Sequence, residues 1–272
     1  MELFQLKRGD SPLVVSFPHV GTYLPPELSE RMSPQALVLP DTDWHLPLLY
    51  DGAAGLGATT LVATHSRYVV DLNRPPDGVN LYPGQKTTGL VPVDTFAEEP
   101  IYLSGQLPSE RDVQERVERY WRPYHEALRD ELKRVRERHG YALLWDAHSI
   151  ISRAPRLFEG QLPDLNLGTA GGRSCGAGLG ESLLELARSH PRYSAVLNGR
   201  FTGGHITRSF GDPAAGVHAV QLEMSTIIYM DEQPPYVLDE SRAAQLRPLL
   251  RAFLSRMLEW GAQSGRARGE GV

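Results

Sequence analysis

The chain has 272 residues, of which 41% are hydrophobic and 22% charged, and its formal charge at pH 7 is −5. This composition is typical of a soluble globular enzyme, and the lack of long blocks of like charge disfavours a nucleic-acid or polybasic membrane partner. Cys175 is the only cysteine, which excludes an internal disulfide and a multi-cysteine zinc site, so a bound metal would need histidine and carboxylate ligands.

The chain begins with a charged segment that is followed by a predicted strand. Residues 1–8 lack a long apolar core, and no segment approaches transmembrane length, so we expect a cytoplasmic protein without a secretory signal. The apolar run from Leu13 to Phe17 predicts a buried strand. His19 follows that strand at the carboxyl end, where open α/β sheets place their ligands, although a single histidine there is more often structural.

Two acidic residues and a histidine come next, in the run from Leu39 to His45. Asp41, Asp43 or His45 could contribute a metal ligand. The alternative is an Asx turn that caps a helix beginning near Leu46.

The run from Ser66 to Arg74 combines a β-rich apolar stretch with two arginines, an aspartate and an asparagine. We predict a strand over Tyr68–Leu72, with Asn73 and Arg74 at its end. Planar guanidinium groups there can bind a carboxylate through two parallel hydrogen bonds. The alternative is a structural ion pair between Asp71 and Arg67 or Arg74.

Further apolar runs predict strands, and three-residue and four-residue spacings of apolar residues predict helices between them. The remaining predicted strands are 59–62, 142–145 and 217–222, and the predicted helices are 110–139 with a kink at Pro123, 179–189 and 240–261. This alternation predicts a single α/β domain over residues 1–263, with a central, mostly parallel sheet flanked by helices.

Two irregular stretches, 75–108 and 152–175, interrupt this pattern. Long loops in compact domains are commonly functional, so we expect both to form walls of a substrate pocket. Residues 264–272 are rich in Gly and Arg, and we expect a disordered tail there.

Polar residues also follow the predicted strands in the second half of the chain. Asp146 and His148 share one strand face. His148 could therefore bind a metal ion together with His19, while Asp146 orients the His148 ring. Alternatively, Asp146 and His148 only form a hydrogen bond with each other. A glutamate at the end of a strand, such as Glu223, could take a proton from metal-bound water in a zinc hydrolase. Alternatively, Glu223 forms a salt bridge. Arg208 could meet an anion, although most arginines are solvated.

Several long motifs, in one order and spanning nearly the whole chain, resemble the N-formylglutamate amidohydrolase family. The motifs are Ser16–Thr22, Leu39–Trp44, Ser66–Pro76, Leu81–Gln85, Leu144–Ser149, Leu162–Thr169 and Leu197–Phe201. The resemblance implies zinc-dependent hydrolysis of N-formyl-L-glutamate to formate and L-glutamate in bacterial histidine degradation. It also implies a fold similar to that of the zinc carboxypeptidases and aspartoacylase.

The resemblance to those two groups also implies site residues. His19, His148 and Glu223 match two metal ligands and the catalytic glutamate in order and setting. Where these relatives carry a glutamate ligand, three residues after the first histidine, this chain has Thr22, and Asp43 is the preferred third ligand.

Four further residues complete the expected site. By analogy with aspartoacylase, Arg67 would polarise the acyl oxygen, while Asn73 and Arg74 would bind substrate carboxylate. Arg208, which could meet an anion, would join them on the two carboxylates. Asp71 would hold the arginines in place.

Other functions stay open at this point. The chain could deacylate another N-acyl acidic amino acid, such as an acetyl or succinyl derivative. It could instead be a non-catalytic binding protein for an acidic amino acid, in which His19, His148 and Glu223 are structural. A carboxypeptidase-type peptidase is disfavoured by the missing early glutamate. The sequence suggests neither a nucleic-acid nor a membrane partner, and it leaves homo-oligomerisation open.

Overall fold

A mixed β-sheet runs through the centre of the computed structural model, which describes residues 1–81 and 84–269. In the described residues its strands are β1 (Phe4–Lys7), β2 (Leu13–Phe17), β3 (Thr59–Ala63), β4 (Ala142–Ile150), β5 (Leu165–Gly168), β6 (Ala195–Leu197) and β7 (Val217–Ser225). Their order across the sheet is β1-β3-β2-β4-β7-β5-β6. Strands β3, β2, β4 and β7 run parallel, whereas β1 is antiparallel to β3 and β5 is antiparallel to β7. The predicted α/β class with a mostly parallel sheet is therefore confirmed.

Helices cover both faces of this sheet. They are α1 (Pro26–Ser29), α2 (Pro34–Leu37), α3 (Leu46–Leu49), α4 (Glu110–Arg116), α5 (Arg122–His139), α6 (Leu179–Arg188), α7 (His205–Phe210) and α8 (Glu240–Gly269), with 3-10 turns at Asp51–Leu56 and Thr226–Ile228. A π-helical turn, Val117–Trp121, joins α4 to α5 just before Pro123, where the sequence predicts a kink. In the part of the chain that the structure describes, no helix combines the length and apolar character that a membrane crossing requires.

The predicted helices at 110–139 and 179–189 are confirmed. The last helix continues to Gly269, past its predicted end at residue 261. Of the predicted disordered tail, residues 270–272 lie outside the described residues. The domain limits stay a prediction.

The core forms two layers, one on each side of the sheet. On one side Trp145 of β4 is fully buried, and its ring lies 5.7 Å from the ring of Phe253 on α8. On the other side Tyr124 and Leu128 of α5 are buried against β2 and β3, and the Tyr124 hydroxyl reaches Ser16 Oγ at 3.0 Å. Each large apolar side chain buried in this way contributes about 1.5–3 kcal/mol. The central strands therefore form a rigid support for the polar residues at their carboxyl ends.

Two strands extend further than the sequence predicts. β4 continues to Ile150 and β7 to Ser225, and the two pair over nine consecutive residues. Consequently His148 and Glu223 lie inside these strands, directly opposite each other, and do not follow them. His148 and Glu223 pair normally through their backbone groups, while their side chains face a cleft at this end of the sheet.

The predicted strand at Tyr68–Leu72 is wrong, because this segment forms consecutive turns although it is buried. The Ser66 hydroxyl accepts a hydrogen bond from the Tyr68 N–H, and Asp71 Oδ1 accepts one from the Asn73 N–H at 2.8 Å. Short polar side chains that capture nearby backbone N–H groups favour turns over strands. Here they outweigh the β-propensity of the two valines at 69 and 70.

Candidate metal centre and cleft

His19, Asp43 and His148 converge at the carboxyl end of the sheet. Their potential ligand atoms all lie within 4.8 Å of one another, and the three side chains are buried. Nδ1 of His148 is 3.2 Å from Asp43 Oδ2, and Nδ1 of His19 is 3.8 Å from the same oxygen. Two histidines and one carboxylate form a ligand set that is common in catalytic metal sites with an open coordination position. These three residues could therefore hold a metal ion, and as candidates for that role they are referred to below as the metal-binding group.

The other ring nitrogen of each histidine faces a second carboxylate. His19 Nε2 lies 2.7 Å from Asp71 Oδ1, and His148 Nε2 lies 3.1 Å from Asp146 Oδ2. Such carboxylates fix the ring orientation and the tautomer of metal-binding histidines. The sequence predicts this role for Asp146, whereas the contact between Asp71 and His19 is not expected from the sequence.

The two alternative ligands near Asp43 lie in other surroundings. The Asp41 carboxylate accepts hydrogen bonds from the Phe96 N–H, and burial raises its pKa to about 6. His45 Nε2 lies 2.7 Å from the Tyr236 carbonyl oxygen. Neither residue belongs to the metal-binding group, so the geometry favours Asp43 among the three candidates.

The charges around this group suit a cation. Asp43, Asp71, Asp146 and Glu223 are buried, and one oxygen of Asp43 and one of Asp146 accept no hydrogen bond in the described residues. Burial alone would lower the pKa of His148, but Asp146, Asp43 and Glu223 outweigh it and raise that pKa well above the ordinary value. The negative field that favours a proton on His148 would also attract a divalent cation. The residues therefore fit a metal ion.

Glu223 lies beside the metal-binding group, on β7. It is 8% exposed, and its Oε2 accepts a hydrogen bond from Gln221 Nε2 at 3.2 Å. Burial raises the pKa of Glu223 to about 8, against the lowering effect of His148. A carboxylate with a pKa near neutrality can both accept and release a proton, as a general acid–base catalyst must.

Arg67 is held by Asp71 at the wall of the same cleft. Its Nη2 donates to Asp71 Oδ2 at 2.6 Å, and its guanidinium lies 4.9 Å from the centre of the Phe96 ring. Burial opposes the charge of Arg67, but Asp71, Asp43 and Asp41 raise its pKa above the ordinary value. The expected ion pair between Asp71 and Arg67 is therefore present, while Arg74 Nη1 is 4.0 Å from Asp71.

Asn73 connects the metal-binding group to α7. Its Nδ2 lies 2.9 Å from His148 Nε2, and its Oδ1 accepts the Ile206 N–H at 2.8 Å. Gly204 lies so close that a Cβ atom there would be 2.3 Å from Asn73 Nδ2, so only glycine fits at that position. Asn73 thus holds α7 next to His148, and its substrate contact stays a prediction.

Arg74 is fixed by the long loop that follows it. Its Nε and Nη2 donate to the carbonyl oxygen and the hydroxyl of Thr88, at 3.0 and 2.9 Å, and its Nη1 donates to the Asn73 carbonyl. A guanidinium carries five N–H groups, and these bonds occupy three of them. Behind it, Trp121 Nε1 donates to the Arg74 carbonyl, and His125 Nε2 lies 2.8 Å from the Leu72 carbonyl. The π-helical turn and α5 therefore support residues 72–74.

Arg208 does not line the cleft. The predicted residues that line it are His19, Arg67, Asn73, Arg74, His148 and Glu223. Arg208 Nε donates to the Gly203 carbonyl at 2.7 Å, and its Nη2 donates to Thr202 Oγ1 at 2.9 Å. These bonds hold α7 to the preceding loop. A substrate contact by Arg208 stays a prediction, but its position does not support one.

The cleft also contains residues that sequence reasoning did not assign. It is narrow, with a free volume of about 50 Å³, and both irregular stretches contribute to its walls. The unassigned lining residues are Thr87, Phe96, Ile150, Leu157, Arg200, Phe201, Gly204 and Gln221. Arg200 is the one cation among these described residues. It lies with Phe201 in the motif Leu197–Phe201, which is the signal for it in the sequence.

Comparison with known proteins gives consistent results over almost the whole chain. The family model for N-formylglutamate amidohydrolase matches residues 11–230. N-formylglutamate deformylases from Pseudomonas putida and Pseudomonas aeruginosa are each 48% identical over 262 residues, which cover 96% of this chain and 98% of theirs.

Solved structures resemble the fold as well. An N-formylglutamate amidohydrolase from Ralstonia eutropha JMP134 superposes with a TM-score of 0.84 at 27% identity, covering 97% of this chain and 100% of that one. A protein from Agrobacterium tumefaciens superposes with a TM-score of 0.69 at 17% identity, covering 95% of this chain and 96% of its own. This second likeness concerns the fold alone.

Proposed function

The chain belongs to the N-formylglutamate amidohydrolase family, and we propose that it hydrolyses N-formyl-L-glutamate to formate and L-glutamate in histidine degradation. The observation that carries the proposal is the convergence of His19, Asp43 and His148, at a cleft that both histidines line together with Glu223 and arginines. The Pseudomonas relatives bear the name of the same activity.

We assign the metal site to His19, Asp43 and His148, and zinc is the metal that this ligand set favours. When bound, zinc would polarise the formyl oxygen and make water easier to deprotonate. The protein prepares the site by fixing both imidazole rings, His19 through Asp71 and His148 through Asp146. With Nε2 directed at a carboxylate, each ring presents Nδ1 towards Asp43.

Glu223 transfers the protons in this proposal. It takes a proton from the attacking water and later passes it to the amide nitrogen of the departing glutamate. A new bond forms between the water oxygen and the formyl carbon, and the bond between that carbon and the nitrogen breaks. Because Glu223 lies opposite His148 on the neighbouring strand, it is near the group that holds the metal.

Arg67 and the pair Asn73–Arg74 act on charges of the substrate. Arg67 is buried and keeps its proton, so it can donate a hydrogen bond to the oxyanion that develops on the formyl oxygen. Asn73 and Arg74 lie next to the metal-binding group, where they can bind the carboxylate that is attached to the same carbon as the formamide.

The Pseudomonas relatives are named for the removal of a formyl group, and we propose the same acyl preference for this chain. We therefore expect an acetyl or succinyl derivative of glutamate to react far more slowly.

The test combines metal analysis with product analysis. Purified protein is analysed for divalent metal and then assayed for formate from N-formyl-L-glutamate, with acetate and succinate release from the corresponding derivatives as comparison. We expect stoichiometric zinc and preferential formate release, both lost on chelation and regained with zinc. Protein without stoichiometric metal and without activity after zinc addition would instead be the binding protein for an acidic amino acid.

A further inference from the structure

Arg200 is a cationic residue of the cleft to which no role has been assigned so far. It lies three residues after the end of β6 and lines the same cleft as His19, His148 and Glu223. Arg74 directly follows Asn73, which contacts His148 of the metal-binding group, whereas Arg200 reaches the cleft from another segment of the chain. The cleft therefore presents a third arginine besides Arg67 and Arg74, supplied by a separate part of the chain.

The guanidinium of Arg200 is held in a defined position. Its Nε donates to the Leu157 carbonyl at 2.7 Å, and its Nη2 donates to the Lys86 carbonyl at 3.0 Å. It also lies 5.1 Å from the centre of the Phe201 ring. Bonds to the backbone of two different loops fix the direction of a side chain that would otherwise be flexible, and a fixed guanidinium is suited to bind a carboxylate.

One short stretch, Lys86–Thr88, connects the two arginines. Lys86 accepts a hydrogen bond from Arg200, and Thr88 accepts two from Arg74. Thr87, between them, lines the cleft. One three-residue segment therefore bonds to both guanidinium groups.

The wall near Arg200 is apolar. Four apolar side chains line the cleft together with Arg74 and Arg200, and all four belong to one small hydrophobic cluster: Phe96, Ile150, Leu157 and Phe201. N-formyl-L-glutamate has three parts: a carboxylate beside the formamide, two methylenes, and a second carboxylate at the end of the side chain. Arg74, the apolar wall and Arg200 offer one contact of the matching kind for each part.

We infer that Arg200 binds the side-chain carboxylate of the substrate and thereby selects an acidic amino acid. The inference rests on the proposed function and assigns the second carboxylate to Arg200 in place of Arg208. Arg208 instead holds α7 through Gly203 and Thr202. The methylenes of glutamate pack against the apolar wall.

The test compares two substrates that differ only in the terminal charge, N-formyl-L-glutamate and N-formyl-L-glutamine. In zinc-loaded Arg200→Gln we expect kcat/KM for the acidic substrate to fall about 100-fold, mostly through KM, as for the loss of one partner of a charged pair. For the neutral substrate we expect a change of at most about threefold, because a structural fault would affect both substrates equally. Arg200→Lys should retain an intermediate preference, since lysine keeps the charge without the planar fork.

Two further arginine variants complete the experiment. Arg153 is exposed on the nearby loop, so Arg153→Gln should leave the substrate preference unchanged. Arg208→Gln tests the competing assignment: loss of the preference there, with its retention in Arg200→Gln, would overturn the inference. Equal losses for both substrates in Arg200→Gln, or no loss for either, would also overturn it. If zinc-loaded wild-type protein releases formate from neither substrate, the proposed function itself fails, and the inference fails with it.

Discussion

Replacing Asp71 with asparagine should destabilise the fold by about 3 kcal/mol. Asp71 is fully buried, its Oδ2 lies 2.6 Å from Arg67 Nη2, and its Oδ1 lies 2.7 Å from His19 Nε2. Burial opposes ionisation of Asp71, but the charges of His19, Arg67 and Arg74 hold its pKa well below the usual range. Removing one partner of a buried ion pair costs about 3–5 kcal/mol, because the other charge stays buried. The amide keeps an acceptor oxygen for Arg67, which places the expected loss at the lower end.

Urea unfolding at pH 7 with a chelator present measures this loss without a contribution from bound metal. With a slope of about 3 kcal/mol per molar urea, the midpoint should fall by roughly 1 M. Asp51→Asn is the matched control, because the Asp51 carboxylate is 68% exposed and lies 4.0 Å from Arg247, where an ion pair contributes at most about 1 kcal/mol. A loss below about 1 kcal/mol for Asp71→Asn would refute the reasoning, since the Arg67 charge would then be stabilised by other groups.

Three further predictions concern the metal, the base and the support behind residues 72–74. Glu223→Gln should keep its zinc but lose at least about 100-fold in kcat; near-normal turnover would reject Glu223 as the base. His148→Ala should lose zinc and activity together, and full zinc content by atomic absorption would contradict its ligand role. Burial, together with nearby His205 and Arg129, lowers the pKa of His125 to about 3. Below pH 6.5 the unfolded chain therefore takes up a proton that the folded chain excludes. The free energy of unfolding consequently falls as the pH falls. At pH 5 this effect lowers the free energy of unfolding by about 2 kcal/mol. In His125→Gln the stability lost between pH 7.5 and 5 should therefore be smaller by that amount. An equal loss in both proteins would contradict the lowered pKa of His125.

Local patterns predicted the parts of the molecule that depend on apolar spacing. The strand at Leu13–Phe17 and the helix at Leu179–Arg188 lie close to the predicted positions, because burial of an apolar face dominates the energetics of such segments. The same reasoning predicted a strand at Tyr68–Leu72, and that prediction is wrong. The apolar residues of this segment are buried as expected, but the Ser66 hydroxyl and the Asp71 carboxylate accept hydrogen bonds from nearby backbone N–H groups, and these bonds form turns there.

The sequence by itself determined the residue types of the site and, through their resemblance to a family, the expected chemistry: His19, His148, Glu223 and the segment from Arg67 to Arg74. Only the tertiary structure decided which of Asp41, Asp43 and His45 lies with the two histidines, and that Arg200 lines the cleft while Arg208 does not. The reason is that these choices depend on how distant segments meet. Asp43 is 105 residues from His148, and Arg200 is 114 residues from Lys86, and no local pattern encodes contacts across such separations.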